Sequence, residues 1–211
     1  MSKKSSNKPI YAFIDASNLF YCGEKSLGWK IDYKRLIKYI RSQYQVKKVF
    51  YYAGVELNGF EYSILKSQPI DLDKLTWYLR YKLRNERLLK SQITSITKNV
   101  QRVKFYSKLS EFGYKLVLKP VKIFKETDGR TVKKANCDVD MTFDLMRYFK
   151  DYSGVLILSG DGDFAVVLKY LKDSGKSMKI LARGERTARE IRQLAGGDFR
   201  DFNYLREILR Y

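Results

Sequence analysis

The 211-residue chain contains no histidine and two cysteines. The missing imidazole removes the side chain that most often serves as a general base near neutral pH. It excludes every Ser-His or Cys-His nucleophile. Any catalysis must come from carboxylates, lysines, tyrosines or metal ions. The two thiols, Cys22 and Cys137, supply no disulfide framework, which makes a reducing cytoplasm the expected location. They also argue against a zinc site built on the usual ligands. No apolar run approaches the ~20 residues that span a bilayer, so no membrane is expected as a partner. The opening "MSKKSSNKP" lacks the apolar segment of a signal peptide and reads as a flexible tail, residues 1–8, before a single domain over 9–211. A hydrophobic share of 45% argues that this domain is folded.

Acidic residues are the minority charge. Lys and Arg number 42 against 23 Asp and Glu, a net charge of +19, and such a surplus focuses an attractive field on phosphates. The expected partner is a nucleic acid. The plainer alternative is a soluble surface that happens to be rich in lysine.

The periodicities alternate between strand and helix. "PIYAFID" is an apolar strand ending on Asp15, "DYKRLIKYIRSQY" suits an amphipathic helix, and "VKKVFYYAG" is a second strand closed by Gly54. Leu72, Leu75, Leu79 and Leu83 then recur at helical spacing, and Leu89, Ile93, Ile96, Val100 and Val103 continue it. This is one long helix or a broken pair, stopped near Gly113. "YKLVLKPVKIFK" predicts a strand carrying Lys115, Lys119 and Lys122, followed by the hairpin-turn dipeptide Asp128-Gly129. "DVDMTFDLMRYFKDY" is helical, "GVLILS" is a fully buried strand, and "DFAVVLKYLKDSG" is a helix stopped by Gly175. "KSMKILA" is another strand, and two helical segments surround "GGDFRDF". Such alternation implies a mainly parallel sheet covered on both faces, with ligands at the carboxyl ends of its strands.

The acids of this basic chain gather where those strands end. "FIDASN" holds Asp15 and Asn18, "CDVDMTFD" holds Asp138, Asp140 and Asp144, and "SGDGDF" holds Asp161 and Asp163. Packed carboxylates repel, and a hard divalent ion, Mg²⁺ or Mn²⁺, resolves the conflict through oxygen ligands. Two such ions about 4 Å apart can activate water and stabilise the leaving oxygen of a phosphodiester. Asp138, Asp140 or Asp161 taken singly reads better as a helix cap, and Asp144 as a solvated helix residue. Asn18, three residues after Asp15, is placed to orient Asp15 or a bound water. "DVDMT" matches the nucleophile signature of haloacid-dehalogenase-type phosphatases, but the polar "VKKAN" before it is not the strand that chemistry requires.

On "FIDASN", "KKANCDVDMTFDLM" and "LSGDGDFAVVLKYLKDSGKSMKIL", in that order over about residues 9–205, the sequence resembles the NYN domain family of the LabA-like type, among the PIN-like nucleases. The resemblance implies an α/β fold of three layers, PIN-like and Rossmannoid, with a mainly parallel sheet and an inserted long helical segment. It implies a metal-dependent (endo)ribonuclease that uses Mg²⁺ or Mn²⁺. Asp15, Asp138, Asp161 and Asp163 would be both metal-binding and catalytic. Asp144 matches a later acid of the middle helix, Asp140 stands at a less constant place, and Lys134 resembles a lysine that precedes that helix and touches phosphate. Some relatives bind RNA without cutting it, so an RNA-binding or regulatory module is the alternative, and a homodimer is one assembly open to the chain.

"KLTWYLRYKLRNERLLK" mixes Trp77, Tyr78 and Tyr81 with Lys74, Arg80, Lys82, Arg84, Arg87 and Lys90. Its cations suit a phosphate backbone, with Arg80, Arg84 and Arg87 as substrate contacts on single-stranded or structured RNA. The rings fit an ordinary amphipathic helix at least as well as a stacking site. Arg183 in "ARGERTARE" is a second candidate phosphate contact, with Arg186 beside it, and the lysines from 115 to 125 are a third.

Overall fold

Apolar residues on both sides of a strand require cover on both sides, and this requirement organises the molecule. The structure, a computed structural model, describes residues 8–66, 68–125 and 131–211. In chain order the elements are β1 (Ile10–Asp15), a helical turn α1 (Ala16–Asn18) running through the π-helical stretch Leu19–Glu24 into α2 (Lys25–Leu27), α3 (Tyr33–Tyr44) and β2 (Val46–Val55). There follow α4 (Leu72–Asn85), α5 (Lys90–Phe112), β3 (Lys115–Pro120), β4 (Lys122–Lys125), β5 (Thr131–Lys134) and α6 (Asp138–Arg147). The chain continues through β6 (Gly154–Leu158), α7 (Ala165–Asp173), β7 (Ser177–Ala182), α8 (Arg189–Ala195), β8 (Phe199–Asp201) and α9 (Arg206–Leu209).

Six strands form one sheet in the order β3-β2-β1-β6-β7-β8, and every pairing in it is parallel. Successive residues of β1 point to opposite faces. Ala12 and Ile14 join a core with Leu36, Ile40, Val103 and Leu109 from α3 and α5. Tyr11 and Phe13 join the other core, with Met141, Leu145, Leu168 and Leu171 from α6 and α7. The expected three-layer α/β architecture with a parallel sheet is thus present. Gly113, at φ +96°, ends α5, and Gly175, at φ +78°, follows α7, both in the left-handed region that favours glycine.

The structure settles the alternatives left open locally and departs from some of the expectations. The long helical segment is a broken pair: Glu86 and Leu89 have extended backbones, and helix restarts where Gln92 Oε1 accepts from Leu89 N at 2.8 Å. The restart changes the phase of the buried face. Leu89 and Ile93 are exposed, and Ile96 is the first buried residue of α5. The lysine strand is two elements: β2 ends at Val55, whose O accepts from Val121 N, and beyond it β4 pairs with β5 in a separate sheet. The Asp128-Gly129 turn lies outside the described residues, but β4 and β5 on either side pair antiparallel, as that dipeptide predicts. The proposed tail lies outside them too, except for Lys8. Inside "GGDFRDF" the structure has a sixth strand, β8, which periodicity did not indicate.

Candidate functional site

The sheet order reverses direction between β1 and β6. From β1 the chain crosses outward to β2, and from β6 it crosses the other way to β7. The two crossovers part above the carboxyl ends of β1 and β6, which opens a crevice at that point of the rim. Ile14 lies opposite Leu158 in the register, so Asp15 and the "SGDGDF" turn emerge side by side although 146 positions separate Asp15 from Asp161.

Asp15 is buried and heavily hydrogen-bonded. Its Oδ1 accepts from Ser17 N (3.0 Å), Ser17 Oγ (2.8 Å) and Asn18 N (3.2 Å), capping α1. Ser159 Oγ donates to its Oδ2 at 3.4 Å and accepts from Asp161 N at 3.2 Å. Asn18 Oδ1 accepts from Gly160 N at 3.1 Å, so this side chain ties the end of β1 to the turn after β6. Burial raises the Asp15 pKa, the bonds from Ser17 and Asn18 oppose the rise, and the charge of Asp161 adds to it.

The glycines of the turn allow close approach. A Cβ on Gly160 would lie 2.6 Å from Thr187 Oγ1 and 2.9 Å from Thr187 Cα. Ala188 N donates to Gly160 O, which fixes the loop before α8 against the turn. Asp161 caps the helical turn Gly162–Phe164 with one oxygen, Oδ1 accepting from Asp163 N at 3.0 Å. The cap reading of Asp161 is therefore correct but incomplete, since a carboxylate has a second oxygen. Neither Asp138 nor Asp140 is the N-cap of α6. Cys137 holds that position, and Asp138 N donates to Asn136 Oδ1 at 2.9 Å.

Asp138, Asp161 and Asp163 each present an oxygen such that all three lie within 4.8 Å of one another. Asp138 and Asp161 are half-buried and Asp163 is exposed. The pKa of Asp138 is raised, first by burial and then by the charges of Asp15, Asp161 and Asp163, with Lys119 opposing. Asp15 is coupled to this trio by charge but is not a member of it. An all-oxygen set of clustered, partly hydrated carboxylates fits a hard divalent cation. Cys137 offers no thiolate, because burial pushes its thiol up to about 12.

The remaining candidates separate by what they touch. Lys119 Nζ lies 2.6 Å from Asp140, so Asp140 is paired with a cation while the trio forms no ion pair among the described residues. Asp144 is 8% exposed rather than solvated, and accepts from Tyr52 OH at 3.0 Å with Arg147 at 4.0 Å. Burial raises its pKa, while Tyr52 and Arg147 oppose the rise. Arg183, 11% exposed, bridges Glu185 (2.7 Å) and Asp201 (3.2 Å), which engages the charge assigned to a phosphate. Lys134 is exposed at the end of β5, and Arg80, Arg84 and Arg87 are exposed on or just after α4, away from any ion pair among the described residues. The sequence did not single out Ser159 or Thr187. Both are small polar residues flanking glycine turns, and their burial (2% and 6%) is the signal that marks them.

The sequence matches the NYN domain over residues 9–78 and 80–203. It is 25% identical over 199 residues to the low amplitude and bright protein LabA of Synechococcus elongatus, a match covering 93% of this chain and 85% of that one. Among solved structures it is similar to a protein of unknown function from Vibrio parahaemolyticus, at 18% identity and a TM-score of 0.58, over 93% of this chain and 94% of the other. A looser overlap, TM-score 0.43 at 12% identity over 89% of this chain and 60% of the other, is with a flap endonuclease of bacteriophage T5 crystallised with DNA and metal ions. With the acids of "FIDASN", "CDVDMTFD" and "SGDGDF" on one rim of a parallel sheet and the family match running through all three, the chain belongs to the NYN domain family.

Proposed function

We propose that the protein is a divalent-metal-dependent ribonuclease of the cytoplasm, hydrolysing RNA phosphodiester bonds at the β1–β6 crevice. One observation carries the reading: three carboxylates converge within 4.8 Å at the carboxyl rim of a chain whose net charge is +19. A pure RNA binder gains nothing from negative charge beside phosphates, so the cluster favours turnover over binding alone. Asp138, Asp161 and Asp163 would hold Mg²⁺ or Mn²⁺, which supplies Lewis acidity towards a phosphoryl oxygen and the attacking water. Asp15 acts on the turn through Ser159, which donates to it and accepts from Asp161 N. Lys119, held by Asp140, brings a positive charge close enough to stabilise the ionised form of Asp138.

The test is cleavage of end-labelled single-stranded and hairpin RNA by the purified chain, with Mn²⁺ and with chelator. Metal-dependent products that disappear with Asp161→Asn support the reading. Intact RNA under all metal conditions, with binding retained, would make this a binding module.

A further inference from the structure

From the sequence, the aromatic residues of α4 fit an ordinary amphipathic helix at least as well as a stacking site. The structure puts two of them outside. Leu75 and Leu79 are fully buried in the core that α4 shares with α5, whereas Trp77 is 67% exposed and Tyr81 is 50% exposed. Their rings stack on each other, 18° from parallel with centroids 5.4 Å apart. Solvent-exposed rings of this size forgo the burial that aromatics ordinarily gain, so a preformed stack in water marks a surface built for a flat partner.

The charges around the stack choose that partner. Arg80 and Arg84 lie three and seven residues after Trp77, which puts them on the same helical face. Neither forms an ion pair among the described residues. The counter-charges on this face are Asp73 and the Asp71–Lys74 pair at 3.6 Å. The helix is anchored to the same rim as the acids. Tyr78 OH donates to Asn58 O in the loop that leaves the carboxyl end of β2, and β2 lies beside β1 in the sheet.

We propose that the outer face of α4 docks single-stranded RNA, an unpaired base stacking on the Trp77–Tyr81 pair while Arg80 and Arg84 hold the adjoining phosphates. A paired base in a duplex cannot present its face to a ring, so the platform discriminates unpaired strands from helices. The inference rests on the reading of this protein as one that acts on RNA, and narrows the substrate to unpaired segments.

The chain has two tryptophans, and they differ in a useful way. Trp29 is 7% exposed, so RNA-dependent quenching of emission reports on Trp77. The probes are a 12-residue oligouridine, a 12-base-pair RNA duplex and a 12-residue oligothymidine, all in chelator so that no cleavage intervenes. Oligouridine is expected to quench emission and the duplex to leave it unchanged. Trp77→Ala is expected to weaken oligouridine binding roughly tenfold, measured by anisotropy, with less than a twofold effect on the duplex. Trp77→Phe, which keeps a ring, should restore most of the affinity. Because the side chain is exposed, both variants should melt like the parent, which separates binding loss from misfolding. Unquenched emission, or equal losses for strand and duplex in Trp77→Ala, overturns the platform. Oligothymidine competing as well as oligouridine overturns the assignment to RNA. A protein that quenches but never cleaves with Mn²⁺ refutes the ribonuclease alone, whereas one that cleaves while Trp77→Ala binds normally refutes the platform alone.

Discussion

Replacing Asp138 by asparagine tests the charge cluster without touching a structural hydrogen bond among the described residues, because it is the backbone of Asp138 that Asn136 holds. The three carboxylates of the trio lie within 4.8 Å of one another, so removing one charge relieves two close repulsions. Each such pair costs about 1 kcal/mol in water and about 3 kcal/mol at an effective dielectric near 20. Asp163 is exposed, which favours the lower end, and the relief comes to roughly 2 kcal/mol. For a domain of this size each kcal/mol moves Tm by about 2–4 °C, so metal-free Asp138→Asn should melt roughly 4–8 °C above the parent. Metal should reverse the ranking. At about 100 times its Kd, an ion bound to the folded state adds about 2.7 kcal/mol, or roughly 5–10 °C, to the parent. The variant, short of one ligand, should gain far less.

The difference also has a definite pH dependence. Because the folded-state pKa of Asp138 is raised, the penalty of its charge is fully present above that pKa and absent below the ordinary value of 3.8. The advantage of Asp138→Asn should therefore shrink as pH falls through the folded pKa towards 3.8. Scanning calorimetry in chelator and in Mn²⁺, from neutral pH down to 4, checks every part of this. Equal melting temperatures without metal, or equal responses to it, would falsify the assignment of Asp138 to an ion site.

Asp161→Asn and Asp15→Asn should each abolish cleavage of labelled RNA while keeping the far-ultraviolet circular dichroism, and Asp140→Asn and Asp144→Asn should be milder; an equal loss in all four contradicts the ranking. Metal binding and cleavage should both weaken as pH drops through the Asp138 pKa, so a Mn²⁺ titration that is flat from pH 7 to 4 is inconsistent with a carboxylate site. RNA affinity should fall steeply with salt, and replacing Arg80, Arg84 and Arg87 together should flatten log affinity against log salt by up to about 2–3 units of slope; an unaltered slope moves the phosphate track to the strand at Lys119. Gly160→Ala forces a Cβ to within 2.9 Å of the Thr187 backbone, an overpacking worth about 1–3 kcal/mol, and should lower Tm accordingly in a thermal scan.

The features legible in the sequence are those set by local pattern. The buried runs of β1 and β6 announce strands covered on both faces, and an acid at the end of each predicts a shared rim once the sheet is parallel. What escaped depends on partners far along the chain. Asp144 reads as a surface residue until Tyr52, 92 positions earlier, is found donating to it. Arg183 reads as a free cation because Asp201 meets it only after β8 has paired with β7. The strand β8 itself is three residues long and half-exposed at its ends, too short for a period to show. In α4 and α5, the apolar spacing continues through Leu89 although the helix does not, since a period records faces and not breaks.

The pairing of β1 with β6 also fixes when the rim of acids is assembled. Residues 10–14 find their neighbours at 154–158, and the acid trio spans 138 to 163. A nascent chain still growing through α4 and α5 holds Asp15 alone, with no second carboxylate beside it. β1 and β2 can pair early, but the crevice has no opposite wall until about three-quarters of the polypeptide has left the ribosome. Contacts of such long range form late and slowly. The full rim of acids is therefore absent beside the messenger that encodes it, and is assembled only with the closure of the sheet.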